Sequence, residues 1–344
     1  MQNEQMLMQI EDEKITGTHR VLLYYFYTKL NNAESFWKKH KTFSESIGVK
    51  GRIIVSDEGI NGTIAGTIAQ TDMYMYGLRM HPLFRKLWFK IDYSDHNTFP
   101  RLSVKYRKEI VALHLEEKNS KDLNPIDCTG THLKPKEFLE LSRQKNAIIV
   151  DVRNEYEYET GHFTNTFRPK KLFHYRDFPE WQKENIPEEY KENMHILTVC
   201  TGGIKCEKLS GYLKDEGFKN VYQLNGGIAT YLKDKEVDGA DYDGQLYVFD
   251  DRIAVSYSET RSKYKVLTKC VHCQKSSERL VNSANRACNE QFFCCIGCQP
   301  KTLRSCSKDC MVAEENEYLM CGIAETTTEA QKPTTTNTKK KVQA

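Results

Sequence analysis

Between about Arg20 and Leu113 the apolar positions switch repeatedly between strand-like and helix-like spacing. "VLLYYFY" (21–27) is a β-rich run, "AESFWKKHKTFSESI" carries apolar residues at helical intervals, and "GRIIV" (51–55) is a short strand. The turn "DEGI" leads into a further strand at "NGTIAG". A helix then runs through Met80, and "LWFKIDY" (87–93) closes the series. That βαββαβ order predicts a small α+β sandwich of ferredoxin or acylphosphatase-like type over residues 18–120.

The pattern then changes. After a polar bridge, "EEKNSKDLNP", come two short apolar runs, "AIIVDV" (147–152) and "HILTVC" (195–200), of the kind that parallel strands buried on both faces show. A helix follows Cys200 and ends at Gly217, and "VYQL" (221–224) is a further strand closed by "NGGI". Strands alternating with helices predict a parallel α/β domain over 130–237. Residues 240–311 form a cysteine-rich segment. The tail within 312–344, including "AETTTEAQKPTTTNTKKKVQA", has no core-forming residues and is expected to be disordered.

A length of 344 residues accommodates these units, and a formal charge of +3 makes no general case for a nucleic-acid partner. No run approaches ~18 apolar residues, so no membrane span is expected. The segment "MQNEQMLMQIEDEK" lacks the apolar core of a secretory signal, which makes the expected location cytoplasmic. There thiols stay reduced, and cysteines serve as metal ligands or catalysts rather than disulfides. The chain has twelve cysteines: none precedes Cys128, and eight crowd between 270 and 310.

In open α/β sheets, chemistry collects beyond the carboxyl ends of the strands, which is where Cys200 sits. The loop Thr201, Gly202, Gly203, Ile204, Lys205 lets backbone N–H groups turn towards an anionic sulfur, and the following helix and Lys205 add positive potential. These features mark Cys200 as a reactive thiol, against the alternative of a buried strand-end cysteine. A cysteine phosphatase of the C-x5-R type requires arginine six positions on, where this chain has Cys206. A basic residue one step earlier, as Lys205 is, resembles the loop of rhodanese-type domains, which holds a sulfur-sized group. Cys206 is either a second thiol, resolving a sulfenate or persulfide on Cys200, or a packing residue. Cys128 is given no role.

Among the clustered cysteines, Cys270, Cys273, Cys295 and Cys298 form two C-x2-C knuckles with the spacing of a tetrahedral zinc site. Cys288, Cys306 and Cys310 suggest a second group short of one ligand unless Cys294 contributes. An iron–sulfur cluster uses the same donors and stays open. There is no GxGxxG flavin or nicotinamide fingerprint.

"DVRNEYEYETGHF" (151–163), "FHYRDFPEW" (173–181), "VCTGGIKCEKLSGYL" and "VYQLNGGIATYL" together resemble a rhodanese domain. They resemble in particular that of the rhodanese-containing tRNA uridine hydroxylases of the TrhO type. "GRIIVSDEGINGTIAG" and "YDGQLYVFDDRIAVS" extend the resemblance over about residues 20–310. The resemblance implies oxygen-dependent hydroxylation of the wobble uridine (position 34) at C5, with molecular oxygen as co-substrate and the tRNA anticodon loop as partner. It implies that Cys200 is catalytic and that Asp151 and Arg153 support the loop, directly or as a structural ion pair. It also implies cysteines at the places of Ser283 and Ser305, so this chain departs from the pattern at the second metal group.

Between Arg261 and Cys310 there are ten Lys/Arg against three Asp/Glu, an excess that metal-bound thiolates would partly cancel. "RLSVKYRK" offers Arg101, Lys105, Tyr106 and Arg107 as RNA contacts, and "RPKK" (168–171) is a further basic patch. Two other readings compete with the hydroxylase. One is a sulfurtransferase carrying a persulfide on Cys200; the other is a non-catalytic RNA- or protein-binding adaptor. The sequence does not specify the oligomeric state.

Overall fold

The computed structural model describes residues 15–115, 123–257 and 265–321. It divides into two compact units between Thr268 and Lys269. The first unit opens with β1 (His19–Tyr27), α1 (Ala33–Ile47), β2 (Lys50–Ser56), β3 (Gly59–Thr67), α2 (Ile68–Met80), β4 (Phe89–Ser94) and β5 (Leu102–Tyr106). The strand order β4-β1-β3-β2-β5 is the expected ferredoxin-like sheet with a fifth strand added at one edge. β5 runs parallel to β2, while the other neighbours are antiparallel.

β1 is apolar on both faces because both are covered. Leu22 and Tyr24 join Ile53, Val55, Ile60, Tyr74 and Leu78 in the core under the two helices. Val21, Leu23 and Tyr25 alternate to the opposite face, which lines a cavity.

The next elements are β6 (Thr131–Leu133), α3 (Pro135–Ser142), β7 (Ala147–Asp151), α4 (Glu155–Thr160) and β8 (Gly161–Phe163). They are followed by α5 (Phe178–Asn185), α6 (Tyr190–Asn193), β9 (His195–Val199), α7 (Ile204–Asp215), β10 (Asn220–Leu224) and α8 (Gly227–Lys233). The sheet β6-β10-β9-β7 is parallel throughout, as the continuous apolar strands predict. One face, with Ile149, Leu197 and Val199, packs on Phe138 and Ile228; the other, with Val150 and Ile196, packs on Leu209, Leu213 and Trp181.

The first part of the segment assigned from sequence to the cysteine-rich region belongs to this unit. β11 (Tyr242–Gly244) pairs with β8, and β12 (Leu246–Tyr247) pairs with β13 (Ala254–Val255). Tyr242 and Leu246 are buried in the core of the parallel-sheet domain, which fixes the segment there.

The second unit holds β14 (Leu280–Asn282), paired antiparallel with β15 (Gln291–Phe293), and the short helices α9 (Lys308–Val312) and α10 (Glu317–Met320). Ordered structure thus continues past residue 312. Asn316 is buried, donating to the Ser305 hydroxyl at 2.9 Å and the Cys310 carbonyl at 3.0 Å. The rest of the expected tail, from residue 322, lies outside the described residues, as does most of the polar bridge. Among the described residues no helix is long and apolar enough to cross a membrane.

Candidate active site

β9 ends at Val199, and the chain turns through Cys200–Gly203 into α7. Gly203 makes this turn with φ of 96°, a left-handed conformation that side chains strain to adopt. Its N–H points back and donates to the Cys200 sulfur at 3.1 Å. The start of α8 holds the outer side of the loop: Ile228 N–H donates to the Cys200 carbonyl and Ala229 N–H to the Thr201 carbonyl, each at 3.0 Å. With its carbonyls tied outward, the loop leaves its amides for the sulfur.

Burial raises the Cys200 thiol, but four groups outweigh it. A hydrogen bond from Cys206, the charge of Lys205, and the backbone N–H groups of Cys206 and Lys205 bring it down to about 7. Cys206 moves the other way. Burial, then its hydrogen bond to Cys200 and that thiolate's charge, push it well above the ordinary range. Cys206 sits in the core among Leu209 and Tyr212 as the thiol that donates.

Lys205 is itself held. Its ammonium donates to Glu157 at 2.9 Å, and Thr201 Oγ1 donates to the other oxygen of Glu157 at 3.0 Å. Glu157, fully buried on α4, was not singled out from sequence. The only signal was its place in "DVRNEYEYETGHF", where several acidic residues look alike.

Asp151 and Arg153 form a buried pair beside the loop rather than in it. Arg153 Nη2 donates to Asp151 at 2.6 Å and to the Gly161 carbonyl at 2.6 Å, tying the end of β7 to β8. Neither lines the cavity.

Above Cys200 lies a cavity of about 750 Å³, enough for a nucleotide. Its floor is the loop, with Cys200, Thr201, Gly202, Ile204 and Lys205. One wall is the open face of the five-stranded sheet, with Leu23, Tyr25, Trp88 and Lys90, and the segment with Leu246, Phe249 and Arg252 closes another side. The two domains of the first unit are pinned together around it. Tyr25 donates to Glu207 at 3.0 Å and Tyr27 to the Ile204 carbonyl at 3.3 Å. Lys208 bridges Glu58 and Glu109, each at 2.8 Å.

The basic residues proposed from sequence are elsewhere. Arg101, Lys105 and Arg107 are exposed on or beside the edge strand β5, outside the cavity lining. The Tyr106 ring lies 6.4 Å from Trp37 on the helix-covered side, and its hydroxyl donates to Asp57. In "RPKK", Arg168 pairs with Glu155 at 2.6 Å and Lys171 with Glu155 and Glu159.

In the second unit, the sulfurs of Cys270, Cys273, Cys295 and Cys298 lie within 4.8 Å of one another, as do those of Cys288, Cys306 and Cys310. Two thiolates at ~2.3 Å from one tetrahedral zinc stand about 3.8 Å apart. Cys273 and Cys295 are 3.7 Å apart, and Cys288 and Cys306 3.6 Å, so both donor sets fit a zinc-sized ion. Cys294 is not in either group; its sulfur donates to the Cys295 carbonyl. Beside Cys306 lies the buried Ser283 hydroxyl, which has no oxygen or nitrogen partner among the described residues.

Residues 19–110 match the UPF0176 acylphosphatase-like domain, 134–234 the rhodanese-like domain, and 243–311 the rhodanese C-terminal domain. The tRNA uridine(34) hydroxylase of Bacillus licheniformis is 45% identical over 301 residues, covering 88% of this chain and 91% of that protein. The chain belongs to the tRNA uridine(34) hydroxylase family. The tRNA uridine(34) hydroxylase of Bacillus cytotoxicus is also 45% identical, over 89% of this chain and 91% of its own. The family thus has its three matched regions here in order, and residues of all three line the cavity of this hydroxylase family member.

Proposed function

We propose that this chain hydroxylates the wobble uridine of tRNA at C5, with Cys200 as the reacting thiol and molecular oxygen as co-substrate. The observation that carries this reading is a thiol lowered to about 7 on the floor of a nucleotide-sized cavity, in a chain of this family. A base in an anticodon loop is already unpaired, so it reaches such a cavity by splaying outward without melting a duplex. Trp88 and Phe249 on the cavity wall offer π-faces for it. A tRNA substrate fits a cytoplasmic location.

The chain's residues have separate tasks. Cys200 supplies the thiolate, Cys206 and the loop amides hold its charge, and Glu157 fixes Lys205 and Thr201. Cys270, Cys273, Cys295 and Cys298 would hold a zinc ion whose four thiolates leave no open position, which gives it the role of a structural support.

The test is nucleoside mass spectrometry of total tRNA from cells lacking the protein, complemented with wild type or Cys200→Ser. The expected result is loss of 5-hydroxyuridine and its derivatives, restored by wild type alone. Restoration by Cys200→Ser would overturn the assignment of Cys200. An unchanged 5-hydroxyuridine pool with a fall in a thiolated nucleoside would replace hydroxylation by sulfur transfer.

A further inference from the structure

β4 alternates between the two faces of its sheet, so Lys90 and Asp92 share the side away from the helices, and Trp88 immediately precedes the strand. All three line the cavity. Lys90 stands opposite Leu23 in the β1–β4 ladder. Leu23 in turn touches the Cys200 loop: a Cβ on Gly202 would lie 2.8 Å from its Cδ2. The lysine and the thiol therefore open on the same space from different domains.

The other lysines and the arginine of this inner space are occupied. Lys205 is held by Glu157, Lys233 by Asp92, and Arg252 by Asp250 and Asp92. Arg52, at the rim, is exposed to solvent. The Lys90 ammonium lies 4.4 Å from the Trp88 ring centre and 4.9 Å from that of Tyr25. Among the described residues it has no hydrogen-bond or ion-pair partner. Two aromatic faces place the cation without using its N–H donors. Tyr25 cannot take its place as donor, since its hydroxyl is committed to Glu207.

Uracil has a conjugated C6=C5–C4=O4 system. When a thiolate adds to C6, the S–C6 bond forms and the C5=C6 π bond breaks. Its electron pair moves into the C4–O4 unit, which becomes an enolate. No oxidant or reductant is consumed, and C5 becomes electron-rich. Charge developing on O4 in a cavity with mostly apolar walls needs a preplaced donor.

We propose that Lys90 is a catalytic residue whose ammonium binds O4 of the target uracil and stabilises the enolate formed as Cys200 adds to C6. This inference rests on the hydroxylase reading and supplies its first chemical step. Burial lowers the Lys90 ammonium to about 8, with the charges of Cys200 and Glu207 acting in the opposite direction. The thiolate form of Cys200 and the ammonium form of Lys90 therefore coexist near neutral pH. The other titratable or charged groups lining this space are Tyr25, Tyr257, Glu157, Asp92, Asp234 and Asp250, with the cations Arg52, Lys205, Lys233 and Arg252.

The test uses the purified full chain and an anticodon stem-loop carrying 5-fluorouridine at position 34, which arrests a C6 thiol adduct. Hydroxylation of tRNA uridine by wild type is measured in parallel. Lys90→Met is expected to slow adduct formation by ~10²- to 10³-fold, as loss of one oxyanion donor does, while Lys90→Arg keeps part of the rate. In wild type the adduct rate should rise through about 7 with the Cys200 thiolate and fall through about 8 as Lys90 loses its proton. In Lys90→Arg the alkaline fall should disappear, because guanidinium stays charged. That readout also serves if Lys90→Met does not fold. An adduct rate in Lys90→Met equal to wild type, or an alkaline fall retained in Lys90→Arg, overturns the proposal and leaves the hydroxylase reading intact. Hydroxylation by wild type without an adduct overturns it as well. Absence of hydroxylation in wild type overturns the hydroxylase reading itself.

Discussion

Lys208 of α7 and Glu58, in the turn between β2 and β3, meet at 2.8 Å, with the lysine side chain only 1% exposed. Glu109 takes a second proton of the same ammonium. Two carboxylates from the amino-terminal domain thus close on one cation of the rhodanese domain, at the seam that shapes the cavity. Lys208→Met should leave both carboxylates without their counterion. The expected cost is about 3 kcal/mol, since breaking a buried ion pair exceeds what the pair itself contributes. Thermal unfolding at neutral pH checks this, and an unchanged midpoint would show that the two domains dock without the bridge.

The hydrogen bond from Cys206 is among the causes that lower the Cys200 thiol. The alkylation rate of Cys200 by iodoacetamide, followed by peptide mass spectrometry, should have its midpoint at about 7 in wild type. The sign follows from the thiolate being the nucleophile: reactivity is lost as pH falls through that value. Cys206→Ala removes the donor and should move the midpoint upward, slowing alkylation several-fold just below neutrality. A midpoint that stays in place would leave the lowering to Lys205 and the loop amides.

The buried Asp151–Arg153 pair makes a pH-dependent contribution. Burial raises the Asp151 carboxyl, but the charge and hydrogen bonds of Arg153 outweigh it and hold it below its ordinary value. A lowered carboxyl stabilises the fold above its unfolded value, ~3.9, and that stability is lost as pH falls through the folded value. Asp151→Asn should cost about 3–5 kcal/mol at pH 7 by leaving Arg153 buried and uncompensated. The gap from wild type should narrow in acid. Urea unfolding at neutral pH and near pH 3 measures both, and a gap independent of pH would refute the linkage.

The two sulfur groups should differ in metal retention. After dialysis against a competing chelator, metal analysis of the full chain should find zinc retained by the four-thiolate group. Cys273→Ser should reduce the content by about one ion per chain. Cys288, Cys306 and Cys310 have the Ser283 hydroxyl beside them, a poorer donor than a thiolate. Ser283→Cys is therefore expected to tighten binding there, and equal retention with and without it would show that Ser283 is no part of that site.

Much of the fold was legible because it rests on local periodicity. The βαββαβ series of the first domain and the apolar parallel strands of the second follow from side-chain alternation and helical spacing. Cys200 was visible because strand, glycine turn and helix are contiguous, and the C-x2-C knuckles because their ligands are close in sequence. Less legible was Lys90. "LWFKIDY" puts Lys90 and Asp92 on one face, yet alternation does not say whether that face meets solvent or another domain. The surroundings of Tyr106 and Arg168 were not legible for the same reason, since a basic or aromatic run reads alike whatever stands opposite it, here Asp57 and Glu155.

By itself, the sequence determined the principal strands and helices of the first two domains, the turn that lowers one thiol and the spacing of the clustered cysteines. All of these depend on residues a few positions apart, within reach of one turn or one helical period. Only the tertiary structure decided that Cys200 opens on a cavity walled by a sheet more than a hundred residues earlier. It also decided that Lys205 is spent on Glu157 while Lys90 has no hydrogen-bond or ion-pair partner among the described residues. Charge pairing and burial are set by what lies opposite in space, and no local pattern records that.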